Sequence, residues 1–304
     1  MKLLICCLLC VFVISTSAFA QSATFDEVKQ FFSHKVTAID EAYPTKKRPS
    51  VDILPLWKRL GLDLKHGAKD RFTCVFGCME NDKQCFLPNP ELTYFSRRNI
   101  RIIDITKEFQ WDHQYLIFKD GVYIGHAEYD EQKYEEPKLV FLEDNLVSIR
   151  YLYETGSGVQ GYMTDIYQIN DKHGAMKVLT YRNKYERSGW EMPFDIEINS
   201  TSSYKQGKLK LNYSIKVTQT VVSGDNAETW DEPIVKDKRK IIYNWRNNGF
   251  TLDTKASNIN PKILEGLDSS EVLYLTYKSK FDELKSDDKE NQEWYKNFLK
   301  EIKK

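Results

Sequence analysis

Between residues 208 and 221 the chain alternates apolar and polar positions. Leu209, Leu211, Tyr213, Ile215, Val217 and Val221 are interleaved with Lys208, Lys210, Asn212, Ser214, Lys216, Thr218 and Thr220. A period of two is that of a β-strand, so the run predicts an antiparallel strand with one buried and one wet face. At roughly 3.4 Å per residue such a strand spans on the order of 45 Å, which predicts a bend or bulge within it. The same alternation marks residues 194–199, where Phe194, Ile196 and Ile198 share one face and Asp195, Glu197 and Asn199 the other. Asp120-Gly121 lies between two apolar runs and predicts a type I′ hairpin. A second hairpin is predicted to turn at Asn247-Asn248-Gly249.

The ends carry a helical period instead. Thr24 and Glu27 form a T-x-x-E capping box, followed by Phe25, Val28, Phe32, Ile39 and Tyr43 at helical spacing up to Pro44. Residues 53–61 predict a short helix stopped by Gly61. Near the other end, Asn260 and Pro261 are an N-cap and first-turn pair. Ser286, Asp287 and Asp288 precede a last amphipathic stretch carrying Trp294, Phe298 and Ile302. Strands flanked by helices predict an α+β, β-rich fold: a meandering antiparallel sheet or sheets in the middle of the chain, with helices at both ends packed on it. A helical and loop part over 21–90, a β core over 91–255 and C-terminal helices over 256–304 are expected to form a single domain.

Residues 1–20 change the picture of where this domain resides. Lys2 precedes the apolar run Leu3 to Ile14, and Ala18-Phe19-Ala20 is an A-x-A cleavage pattern. This is the form of a secretory signal peptide, and the run is short of the ~20 apolar residues a transmembrane helix needs. The mature chain is expected to begin at Gln21 and to be exported, periplasmic or secreted. The full sequence balances 44 basic against 44 acidic side chains; loss of Lys2 leaves 43 against 44, a net charge of −1. That balance argues against a dedicated nucleic-acid binder. Three cysteines leave with the signal and Cys74, Cys78 and Cys85 remain. In an oxidising compartment they predict one disulfide, with three pairings open. Their C-x3-C-x6-C spacing matches no standard zinc pattern. So few cysteines suit a bacterial periplasm better than a disulfide-dense secretion.

Chemistry is sparse. Gly156, Gly158 and Gly161 spell G-x-G-x-x-G, yet a dinucleotide site needs a helix after the glycines to receive the pyrophosphate. The following residues Tyr162, Thr164, Ile166, Tyr167 and Ile169 are β-branched or aromatic, so the glycines are expected to form a strand connection. The five histidines form no metal pair, and no G-x-S-x-G or S-x-x-K is present. Residues 225–232 carry oxygen ligands without EF-hand spacing. No catalytic residue, cofactor or metal site is predicted.

One surface feature stands apart. Tyr129, Asp130, Glu131, Tyr134, Glu135 and Glu136 follow a predicted strand as an acidic, tyrosine-bearing loop. Tyrosine brings contact area at low entropic cost and carboxylates steer a basic partner, so these residues are the expected partner-binding site. The basic runs at 45–48 and 236–240 are opposite in sign. Trp190 and Trp230 sit in turn-like settings and are expected to stack on a ligand. The leading expectation is an exported, non-catalytic protein that binds another protein, as an inhibitor or immunity protein would. A carbohydrate or cell-wall binding protein, or a carboxylate-based hydrolase, is the alternative, and a structural envelope component a third.

Overall fold

A computed structural model describes residues 23–33, 59–60, 91–106, 112–130, 138–156, 158–171, 173–188, 194–223, 228–283, 295–296 and 299–300. The chain falls into two compact units: Met1–Leu87 with Gly121–Tyr123, and Pro88–Asp120 with Ile124–Lys304.

In the first unit, α1 (Phe25–Ser33) begins as its capping box dictates. The Glu27 amide donates to Thr24 Oγ1 at 3.2 Å, and the Thr24 amide donates back to Glu27 Oε2 at 3.3 Å. Both orphan donors of the first turn are thereby used. Arg59 pairs with the Glu27 carboxylate through both terminal nitrogens and holds its pKa below the ordinary value. Ala23 and Thr24 run beside Val122: the Tyr123 amide donates to the Ala23 carbonyl at 3.0 Å, and the Phe25 amide to the Gly121 carbonyl at 2.8 Å.

The second unit is β-rich and built on two antiparallel sheets. The smaller is a four-stranded meander of β1 (Glu91–Arg97), β2 (Ile100–Thr106), β3 (Asp112–Lys119) and β4 (Val122–Asp130). The larger has eight strands in unbroken sequence order: β5 (Lys138–Glu143), β6 (Leu146–Gly156), β7 (Val159–Asn170), β8 (Gly174–Arg187), β9 (Phe194–Lys205), β10 (Lys208–Ser223), β11 (Glu228–Arg246) and β12 (Gly249–Leu252). The turns follow the expected chemistry. Asp120 (φ 51°) and Gly121 (φ 79°) take the left-handed pair that a type I′ hairpin demands, as do Asn247 (φ 49°) and Asn248 (φ 65°). Gln206 (φ 52°) and Gly207 (φ 70°) make a third such turn between β9 and β10.

Two apolar clusters follow from the alternation. Where the sheets face each other, Ile102, Tyr115, Ile117 and Tyr129 of the small sheet meet Val147, Ile149, Tyr167 and Ile169 of the large one. On the opposite face of the large sheet, Phe194, Ile196, Ile198, Leu211, Tyr213, Ile215 and Val217 meet the C-terminal helices. These are α2 (Pro261–Glu265), a 3-10 turn (Gly266–Asp268), α3 (Ser270–Thr276) and α4 (Lys278–Glu283). Asn260 caps α2 by accepting from the Lys262 amide at 3.0 Å. Leu264, Leu267, Leu273 and Phe281 enter the core, while Tyr277 donates to Asp237 at 2.9 Å and Arg182 to Asp268 at 2.8 Å, tying helices to strands. Helices packed on a sheet are thus seen mainly on the C-terminal side. Trp294, Phe298 and Ile302 lie outside the described residues; Tyr295, beside the first of them, is buried against the same core.

Candidate binding surface

The glycine motif resolves into a hairpin. Gly156 and Gly158, both at positive φ, end β6 and turn the chain into β7. Gly161 has a different role. Tyr153 is the extra residue of a bulge in β6, with Leu152 opposite Tyr162 and Glu154 opposite Gly161. Its ring crosses Gly161 so closely that a Cβ there would lie 2.4 Å from Cε1. A strand, not a helix, follows the glycines, so no helix N-terminus faces them.

The residues expected to bind a partner part company. Tyr129 is in β4 and only 5 % exposed. Its hydroxyl donates within a buried network, with Asp165 Oδ2 at 3.1 Å and the Tyr167 hydroxyl at 2.9 Å. Asp165 also accepts from Thr180, its cross-strand neighbour, and from Lys177 at 3.2 Å. Burial, with Tyr167 and Asp165 adding to it, pushes the Tyr129 hydroxyl far above its ordinary pKa; burial raises Tyr167 to about 12. Tyr129 is therefore a core residue joining the two sheets, unavailable to a partner. Asp130 ends β4, and its side chain, like Glu131, Tyr134, Glu135 and Glu136, lies outside the described residues. Trp230 is not in a turn: it lies in β11 opposite Val221. Its side chain, Trp190, and Cys74, Cys78 and Cys85 are likewise outside the described residues.

A different surface comes together on β9, β10 and β11. Inward positions of β10 face the helices, so Lys208, Lys210, Asn212, Ser214 and Lys216 point outward. Register then decides which neighbours share that face, because directly paired residues point the same way. Lys240 lies opposite Asn212, Lys238 opposite Ser214 and Lys236 opposite Lys216. Thr201, Asn199 and Glu197 of β9 complete these rows. Six lysines thus stand on two adjacent strands, and among the described residues none of the six ammonium groups has a hydrogen bond or ion pair. Lys216 and Lys236 are a like-charge cross-strand pair, an arrangement that costs stability. A depression of about 410 Å³ lies at these strands, lined by residues of both faces: Asn199, Thr201, Asn212, Ser214, Lys238 and Lys240 from the outer one, and Ser200, Tyr213 and Arg239 from the inner.

The neighbouring positions explain why the lysines remain without partners. Asp237 and Arg239 alternate with them but point inward, where Arg239 binds Asp237 at 2.6 Å and the Asn258 carbonyl at 3.2 Å. The acid of β11 is therefore spent beneath the sheet, while on the outer face Glu197 lies opposite Lys216 and accepts from Asn199. The surface offers point positive charges, hydroxyls and amides. Among the described residues, no group of three or more His, Cys, Asp or Glu is placed to hold a metal ion. No protein-family model, curated protein or solved structure matches the chain.

Proposed function

We propose that this chain is an exported binding protein that docks an acidic partner on the outer face of β9–β11. Lys210, Lys236, Lys238 and Lys240 have no acidic residue opposite them on the neighbouring strand, and these four of the six lysines carry this reading. Charge kept unpaired on a rigid, solvent-facing sheet raises the local concentration of anions and speeds their encounter. The signal-like N-terminus supports export, to a periplasm or the exterior. The test is capture of envelope and secreted material on immobilised residues 21–304. A chain carrying Lys210→Gln, Lys216→Gln, Lys236→Gln and Lys238→Gln serves as the comparison. Retention of acidic material by the parent and its loss from the variant is the expected result. Equal retention by both would overturn the assignment of the face.

The sequence favours a second reading, in which Tyr134, Glu135, Glu136 and their acidic neighbours hold a basic protein, as an inhibitor would. Alanine at those three positions separates the two. It removes a partner held by the loop and leaves one held by the lysines.

A further inference from the structure

The character of the face narrows the partner that the proposed docking role calls for. From Lys208 to Lys216 it runs about 27 Å, and three strands give it a width near 10 Å, an area on the order of 300 Å². A stable protein–protein interface takes roughly 800 Å² from each partner, with aromatic or arginine anchors at its centre and lysine depleted. Here the order is reversed. Lysines occupy the centre, no exposed large apolar side chain lies on these strands among the described residues (those exposed are Tyr94, Val122, Val140, Met176, Ile263 and Leu275), and Arg239 is turned inward. A folded acidic protein would find charge without an apolar core to exclude water.

An extended polymer needs no such core. Each successive outward row of the β10–β11 pair, from Lys216 and Lys236 back to Lys208, carries at least one lysine, with rows roughly 7 Å apart on strands about 4.8 Å apart. That is a ladder for regularly repeated charge. Lysine binds phosphate as a point charge, whereas planar two-point recognition of carboxylates favours arginine; the outward Arg246 stands at the end of β11, beyond the lysine rows. Between the lysines, Asn199, Thr201, Asn212 and Ser214 offer amides and hydroxyls suited to uncharged hydroxyls of the same chain. Bases of a single-stranded nucleic acid would require exposed aromatic platforms; the aromatic lining the depression, Tyr213, is buried with its hydroxyl bonded to the Arg182 carbonyl. An anion lying between Lys216 and Lys236 would relieve their mutual repulsion on the side of Lys216 away from Glu197.

We infer that the β9–β11 face holds an extended phosphodiester-linked polyol or sugar polymer, its phosphates on the lysine ladder and its hydroxyls against Asn199, Thr201, Asn212 and Ser214 between them. This rests on the docking reading above and names its ligand class. The test uses poly(glycerol phosphate) as the probe against residues 21–304, with inorganic phosphate, polygalacturonate and duplex DNA as parallel arms. Engagement of all six lysines gives a log–log salt slope near −4, by analogy with single-stranded polyanions, so doubling the salt weakens binding about 15-fold. Replacing Lys210, Lys216, Lys236 and Lys238 by Gln brings the slope to about −1.4. Inorganic phosphate is expected not to compete at the same phosphate concentration, because it cannot bridge the ladder. Equal or tighter binding of polygalacturonate or DNA would overturn the phosphopolymer assignment, as would a slope unchanged in the variant. If the probe fails but an acidic protein from envelope fractions is retained by the parent and lost from the variant, the ligand class falls and the docking face stands. If nothing acidic is retained by the parent chain, both fall.

Discussion

Replacing Gly161 by alanine is expected to destabilise the protein or stabilise it depending on one other residue. In the native sheet the new Cβ would meet Cε1, Cζ and Oη of Tyr153 at 2.4, 2.6 and 2.9 Å, all shorter than carbon contacts permit. The ring must swing off Gly161, and its packing against the core below is disturbed. Overpacking of this kind costs about 1–3 kcal/mol. With Tyr153 already replaced by alanine the obstacle is gone. No left-handed backbone is required at position 161, so Gly161→Ala then only restricts the unfolded chain, a gain of about 0.4–1 kcal/mol. The sign therefore inverts, with a coupling of roughly 1.5–4 kcal/mol, well above the few tenths seen between independent sites. The four proteins of the cycle are compared by urea unfolding followed by circular dichroism. The same change in stability from Gly161→Ala in both backgrounds would refute the claim that Tyr153 dictates this glycine.

Lys236→Glu turns the repulsive pair with Lys216 into an attractive one and is expected to add about 0.2–1 kcal/mol of stability, while weakening retention on an anionic column. A rise in unfolding midpoint with unchanged retention would detach the like-charge pair from binding. Asp165→Ala removes a carboxylate that is 2 % exposed and leaves Thr180 and Tyr129 with donors to place; chemical unfolding is expected to show a loss of about 3–5 kcal/mol, against a smaller loss for Asp165→Asn, which keeps the shape. Burial raises Tyr167 and Tyr243 to about 12. The native state then holds protons that the unfolded chain releases near pH 10, so the contribution of these tyrosines is constant below pH 10 and stability falls as pH rises from 10 towards 12. Thermal melts across that window, repeated with Tyr167→Phe, are expected to show a shallower fall in the variant.

The strands that sequence revealed most clearly are those whose inward positions are uniformly apolar. β9 and β10 were legible because Phe194, Ile196 and Ile198, and Leu209 through Val217, leave no gap in the alternation. β11 was not. Its inward positions include Asp237 and Arg239, and the resulting run of charges hid a period that is present in Lys236, Lys238 and Lys240. Only Tyr277 and Asn258, 40 and 19 residues further on, satisfy that inward pair. Pro233 added a second false sign of a turn; it is accommodated opposite Thr218, where the register slips at a bulge. Tyr129 misled for a related reason. Flanked by acids it reads as surface, and what buries it is Asp165, 36 residues away on the other sheet. The lysines of the candidate face were visible one strand at a time. That they form one surface depends on register, which local sequence does not encode.

The larger sheet is ordered β12-β11-β10-β9-β8-β7-β6-β5, so every strand is bonded to its neighbours in the chain. Such a sheet needs no distant segment to arrive before pairing can begin. A chain that emerges end first, as any nascent polypeptide does, could lay down each hairpin on the last, closing short loops whose entropic cost grows only slowly with length. β10 and β11, the longest strands, come near the end of that sequence. On such a route the lysine ladder is among the last surfaces to form, taking shape only when nearly the whole chain has emerged.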